Sequence, residues 1–261
     1  IWNIIYSLWL LMGIGGSVLL STLRGVSEKN QRQSNEYFSA ALIGVTFLAV
    51  LSWLGVVLLD RELLTLFGAE ETLLPLARQY LLLVKVVVPS FLFTQFLSAF
   101  LRNDGNPGLA TKAVLFGGVF NVLGDYFFVF TLDMGIMGAG LATAMGSVFS
   151  LLMMLTHFRK KQNTLRWEWP TRLLSKLKAI GVTGFSTFFI DVAMGILTVL
   201  FNRQILKYLD TNALSVYGII INISTFVQCC AYSIGQASQP MISTSHVHAH
   251  ILPIHKGLQT L

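Results

Sequence analysis

Apolar residues gather in seven long runs separated by short polar stretches. The runs do not alternate as half-buried strands do, and they lack the narrow apolar stripe of a water-facing helix. They cover 1–23, 37–59, 76–101, 109–132, 134–158, 177–206 and 213–243. A bilayer-crossing helix needs about 20 mostly apolar residues, so each run predicts one span. Gly13, Gly15, Gly16, Pro89, Gly117, Gly118, Gly146, Gly195 and Pro240 fall inside the runs. Spanning helices tolerate such residues because neighbouring helices satisfy the freed backbone groups. The chain opens Ile1-Trp2-Asn3, already apolar and without Met, which reads as a chain whose true N-terminus lies further upstream.

Composition narrows the class. Of 261 residues, 54% are hydrophobic and 11% charged, against roughly 25% charged in ordinary soluble domains. That excludes a soluble enzyme, a nucleic-acid binder and a disordered scaffold, and leaves an all-α polytopic membrane protein. The net charge of +6 is then loop charge facing a membrane. One set of loops holds Arg24, Lys29, Arg32, Arg102, Lys112, Arg159, Lys160, Lys161, Arg166, Arg172, Lys176 and Lys178; the opposite set holds only Arg61, Arg78, Arg203 and Lys207. The positive-inside rule puts the richer side in the cytoplasm. The first span then starts outside, which with an odd number of spans again implies a preceding helix.

The longest polar stretch, 159–178, contains Trp167, Trp169 and Pro170. It reads as a linker between two halves, either an interfacial helix or a solvated loop. A weak internal repeat agrees with two halves: at an offset of 222 residues Gly13 falls on Gly235, Gly15 on Ala237, Gly16 on Ser238 and Ser21 on Ser243. Transporters are often built from such repeats, and small residues recur where helices approach closely. Cys229 and Cys230 are adjacent in an apolar run and read as small buried residues. His246, His248 and His250 alternate in the tail, with His255 after them; such a pattern suits a metal, but no second ligand set is visible, and the tail reads as disordered.

Charges inside spans default to function. Three sit deep: Lys85, Asp125 and Asp191. Asn121 precedes Asp125 by four residues, so the two share a helix face. Asp125 lies nine residues before the turn at Met134 and Thr143 nine after it. An antiparallel hairpin puts both about 13 Å below the outer surface. A carboxylate, an amide oxygen and a hydroxyl at one depth suit Na⁺ or a proton; the alternative is a polar knot joining two helices. Asp191 falls near mid-membrane, as a second cation-attracting site or a helix–helix hydrogen bond. Lys85 is either an ion partner for Asp125 or a snorkelling side chain.

The stretch Leu101-Arg102-Asn103-Asp104-Gly105-Asn106-Pro107, then Leu109-Ala110, Asn121, Asp125 and Gly138-Ala139-Gly140-Leu141-Ala142-Thr143, resembles the multidrug and toxic compound extrusion (MATE) family. The run from Asn202-Arg203-Gln204 through Tyr217-Gly218-Ile219 to Gly235-Gln236-Ala237-Ser238-Gln239-Pro240 is similar to its MepA-like bacterial branch. The resemblance implies a two-lobe helix bundle, with the spans here corresponding to helices two to eight of twelve. Residues 1–158 would form an N-terminal lobe lacking its first helix. Residues 159–178 would be the cytoplasmic inter-lobe linker, 179–243 the first two helices of the second lobe, and 244–261 an atypical His-containing tail. Family members export cationic amphipathic compounds by alternating access in exchange for H⁺ or Na⁺, from the plasma membrane and, at full length, as monomers. In several of them an Asn and an Asp on the fifth helix and a Thr on the sixth form the cation site. Asn121, Asp125 and Thr143 match these by motif, and no cofactor beyond the coupling ion is implied. Asp191 is the candidate second acidic site, and Asn222 and Gln228 are candidates for the substrate cleft. Lacking the rest of the bundle, the chain alone is not expected to transport.

Other readings fare worse. A retinal protein needs a Schiff-base Lys, absent from 213–243. An intramembrane protease needs a catalytic pair, and Ser186 has no matching base; no enzyme is expected, nor a nucleic-acid partner. A lipid-linked saccharide flippase of the same superfamily would call for more basic groups in its pore. A membrane fragment without transport is the remaining alternative.

Overall fold

The computed structural model describes residues 2–26, 30–66, 74–209, 213, 216–235 and 238. The His-containing tail, Ala237 and Ser243 lie outside them. Among the described residues the secondary structure is helical throughout, with no strand. The helices are α1 (Trp2–Val26), α2 (Gln31–Leu58), the short α3 (Asp60–Leu66), α4 (Leu74–Asn103), α5 (Pro107–Asp125), α6 (Gly135–Leu155) and α7 (Leu173–Tyr208), followed by α8 (Val216–Gly235). Among the described residues six helices, α1, α2 and α5 to α8, contain stretches long and apolar enough to cross a membrane. The 30-residue α4 occupies the third expected span.

Long exposed apolar faces accompany these lengths. On α5, Leu115, Val122 and Leu123 point outward, as do Val182, Phe185 and Phe189 on α7. In water such surfaces would drive aggregation; facing lipid tails they cost nothing. The buried apolar side chains form two cores. One joins Leu20, Phe38, Phe96, Phe100, Leu101 and Ile180, with the Phe96 and Phe100 rings 4.6 Å apart. The other gathers Trp9, Leu10, Val88 and Leu92.

Small residues decide how closely helices approach. A Cβ at Gly15 would overlap the Ile180 carbonyl oxygen, so α1 and α7 meet backbone to backbone. A Cβ at Gly16 would lie 2.7 Å from the Ala41 Cβ and 2.9 Å from the Phe100 ring. The first-half members of the expected repeat thus mark real close approaches. Gly235 meets nothing within 4 Å. Cys229 and Cys230 are exposed on α8, a correction to their expected burial, because nearly all of α8 faces outward among the described residues.

The segment 160–172 is not an interfacial helix. It runs irregularly, held by two buried carboxylates. Asp104, in the turn between α4 and α5, accepts from Arg24 Nη1 at 2.5 Å, from the Thr164 amide at 3.0 Å and from the Thr164 hydroxyl. His157 Nε2 lies 2.7 Å from Oδ2, the oxygen that also accepts from the Thr164 amide. Arg24 reaches on to Ser34 and Asn35 of α2. Asn106 Oδ1 accepts from the Leu109 amide at the start of α5, which turns its amide nitrogen toward His157 Nδ1, 3.0 Å away. His157 therefore accepts at Nδ1 and donates from Nε2. Glu36, one residue before the predicted second span, accepts from the Thr171 amide at 2.8 Å and hydroxyl at 2.6 Å and pairs with Lys176 at 3.1 Å.

Burial works against ionisation of Asp104. The hydrogen bonds from Thr164, His157 and Arg24 outweigh it and hold the carboxyl below its usual value. A lowered folded value means that the stabilisation is complete above the unfolded pKa of about 3.9 and disappears as pH falls through the folded one. Asp104→Ala strands Arg24 and His157 and is expected to cost about 3–5 kcal/mol, read as a lower midpoint of thermal unfolding in detergent. The midpoint difference between wild type and Asp104→Asn should stay constant from pH 8 to 5 and shrink only below about pH 4.

Candidate functional site

The pair α5 and α6 carries the predicted cation-binding residues. These helices touch through glycine. A Cβ at Gly146 would sit 2.7 Å from the Gly117 carbonyl oxygen, and one at Gly117 would overlap the Ser150 hydroxyl. Ser150 in turn donates to the Ala113 carbonyl across the interface at 2.9 Å. One turn toward the far end, Asn121 Nδ2 donates to Thr143 Oγ1 at 3.2 Å. The Thr143 hydroxyl donates back to the Ala139 carbonyl of its own helix at 3.0 Å. That leaves the Asn121 side-chain oxygen as an acceptor for a guest.

Asp125 follows one turn later, half-buried at the end of α5. Its Oδ1 is buried with no hydrogen-bond partner among the described residues. Buried polar atoms are almost always bonded, so an orphan carboxylate oxygen asks for an explanation such as an ion or a proton. Asn121 and Thr143 are in contact and Asp125 lies beside them on the same face.

The register differs from expectation in one respect. Equal counting from Met134 set Asp125 level with Thr143, whereas Asn121 makes the contact. The cause is the π-helical segment Tyr126–Thr131, which begins directly after Asp125. Its wider turns advance less per residue, so more residues fit between the contact and the turn. Leu132 donates to Phe127 and Met134 to Phe128 across this segment. Such π segments are rare and gather at functional sites.

Asp191 stands apart from this hairpin. It lines a cavity of about 410 Å³ between α4, α7 and α8, with Phe91, Thr198, Ser224, Gln228 and Tyr232. The structure thus brings Asp191 and Gln228 to one cavity. Asn222 is exposed and does not line it. Six residues on a helix turn through about 240° from Gln228, which removes Asn222 from that face. Lys85 does not reach Asp125: it pairs with Asp60 of α3 at 3.1 Å, which sets aside the first of its two readings, an ion partner for Asp125. The Arg24–Asp104–His157 cluster and Glu36 went unpredicted. The signal was there in Asp104, a carboxylate tightly bracketed by two apolar runs, with Arg24 and His157 at the ends of two others.

Comparison with known proteins follows these lines. Residues 1–127 match the sequence model of the MatE family. The multidrug export protein MepA of Staphylococcus saprophyticus is 25% identical over 247 residues, which is 93% of this chain and 54% of that protein. MepA of Staphylococcus aureus strain MSSA476 is 23% identical over 248 residues, with the same two coverages. Among solved structures, the MATE multidrug transporter DinF-BH superposes with a TM-score of 0.84 at 25% identity, over 94% of this chain and 55% of that one. The Vibrio cholerae MATE transporter VcmN in its bent form shares the fold, with a TM-score of 0.79 at 20% identity over 97% of this chain and 57% of that one. This chain spans about half the length of the curated relatives it matches. The fold and its intramembrane polar groups define a helical bundle of the kind that builds secondary transporters. Over residues 1–127 the chain is similar to the MatE family, and its long apolar helices and transporter relatives make it a multi-pass protein of the bacterial plasma membrane.

Gly146→Val should force α5 and α6 apart. The expected outcome is a lower midpoint of unfolding, by an amount equal to about 1–3 kcal/mol. Gly118→Val, where a Cβ meets nothing within 4 Å, should leave it unchanged.

Proposed function

We propose that the full-length protein exports cationic, amphipathic compounds by alternating access, driven by inward movement of H⁺ or Na⁺. The observation that carries this reading is the buried Oδ1 of Asp125, without a partner among the described residues, beside the Asn121–Thr143 hydrogen bond. In this reading Asp125 and the free oxygen of Asn121 hold the coupling cation, with the Thr143 hydroxyl fixing the Asn121 amide. The cycle is an exchange. A cation enters the α5–α6 site from outside, neutralises Asp125 and favours one arrangement of the bundle; its release inside favours the other. The compound moves the opposite way because both cannot be accommodated in the same state.

Asp191 and Gln228 fit a second site in the cavity between α4, α7 and α8. A carboxylate attracts a cationic guest, an amide bonds to its polar atoms, and Phe91 and Tyr232 offer aromatic faces. Asp191 is the one charged side chain in that lining among the described residues. A flippase for a pyrophosphate-linked saccharide would place basic groups there, so the charge favours a cationic compound. The names of the relatives, multidrug export proteins and a multidrug transporter, support export of small-molecule drugs.

Asp125→Asn in the full-length protein keeps the shape of the side chain and removes its charge. Export of a fluorescent cationic dye from cells should fall by between about fivefold and 150-fold, the usual span of a coupling free energy. The amount in the membrane and the unfolding midpoint should remain unchanged. Export at the wild-type rate would overturn the assignment of Asp125.

A further inference from the structure

We propose that the segment between α6 and α7 is a binding surface for anionic phospholipid. Two buried carboxylates fix where this segment runs. Thr164 is tied to Asp104 and Thr171 to Glu36. Between them the Glu168 amide donates to Ser39 Oγ at 2.9 Å. Ser39 lies eight residues past the start of α2, about 12 Å along its axis. There α2 changes character: Gln31 to Glu36 are all polar, whereas the sequence from Tyr37 onward is dominated by apolar side chains. The backbone around Glu168 therefore runs at the level where the bundle passes from water into hydrocarbon.

The side chains displayed at that level suit a headgroup layer. Trp169 is 78% exposed and Trp167 47%, their rings edge to face at 5.7 Å. An indole that bares its body to water on a rigid segment is poorly placed. At a headgroup boundary its apolar face meets acyl chains and its N–H meets phosphate or glycerol oxygen. Cations surround the pair. Arg159, Lys160, Lys161, Arg166, Arg172 and Lys178 are all exposed and form no ion pair among the described residues. The acids close by are taken up: Asp104 by Arg24, Glu36 by Lys176, and Glu168 faces Arg32 at 3.8 Å. The interior carboxylates thus neutralise the interior cations, and the exposed face keeps its positive charge for a partner. A surface with unpaired cations beside interfacial tryptophans, at the level of the headgroups, fits an anionic phospholipid such as phosphatidylglycerol. The rigid anchoring means that the surface needs no folding on contact. It also means that lipid charge acts on the segment joining α6 to α7, where the two halves of the bundle are expected to move against each other.

The test uses the full-length protein in nanodiscs and follows tryptophan quenching by lipids brominated on their acyl chains. Subtracting the signal of the Trp167→Phe/Trp169→Phe variant isolates the two indoles of the segment. Brominated phosphatidylglycerol, at equal mole fraction in phosphatidylcholine, is expected to quench them with an apparent local enrichment of at least about fivefold over brominated phosphatidylcholine, the effect of a single well-placed cation. Lys160→Gln/Lys161→Gln/Arg166→Gln should abolish the preference, whereas Lys160→Arg/Lys161→Arg, which leaves all three positions cationic, should keep it. Raising the salt to about 0.5 M should weaken it. Equal quenching by both lipids would leave an interfacial segment without charge selection and overturn the proposal. Quenching by neither would mean that protein or water covers the tryptophans, and would overturn it too.

Discussion

One carboxylate organises the basic end of this bundle. Asp104 sits in a tight turn between two helices with no exposed side-chain area, and all its acceptor capacity is used. Arg24 brings in the end of α1 and, through Ser34 and Asn35, the start of α2. His157 brings in the end of α6, and Thr164 the segment that leads to α7. A charge out of water is tolerable only when paired and fully hydrogen-bonded, so each of these partners is constrained by the others. Their helices enter the apolar region from a common fixed base, and lateral packing is decided from there.

Within the apolar region there is no hydrophobic gain from bringing helices together, since lipid tails are as apolar as leucine. Close packing takes over, and glycine permits it. Gly15 and Gly184 let α1 and α7 touch along their backbones, and Gly117 and Gly146 do the same for α5 and α6. The second approach has a chemical result. It brings Asn121 within reach of Thr143, and it leaves Asp125 just beyond, where α5 gives way to a π segment. The carboxylate oxygen Oδ1 is held by its neighbours' packing and not by bonds of its own among the described residues. In the proposed function this is the group that meets the coupling cation.

Much of the fold was legible from the chain. Apolar run length marks spans because the bilayer sets their length, and each of the seven runs carries a helix among its described residues. The Asn121–Asp125–Thr143 grouping was readable from helical spacing, and the structure assembles two of the three in direct contact. What escaped was set by geometry that spacing does not carry. The π segment Tyr126–Thr131 leaves no compositional mark, so counting from the turn misjudged which residue faces Thr143. Lys85 found its partner in Asp60 of α3, a short helix hidden within a loop. Asp104 and Glu36 lie outside the apolar runs, where run length carries no information about burial. Only the return of 160–172 over the helix ends buries them. Asn222 and Gln228 share a helix but not a face, which the choice of amides alone could not separate.

The account rests on Asp125 being the group that a coupling cation meets. Infrared difference spectroscopy of the full-length protein reads that group directly. Spectra would be taken on adding Na⁺ at constant pH, and on changing pH between 5 and 8 without Na⁺, for wild type and for Asp125→Asn. The account predicts a carboxyl band, present in wild type and missing in the variant, that changes with one of the two cations and shifts again when a cationic drug is added. Identical difference spectra from the two proteins under both conditions would contradict it, and would leave Asp125 as a packing residue between α5 and α6.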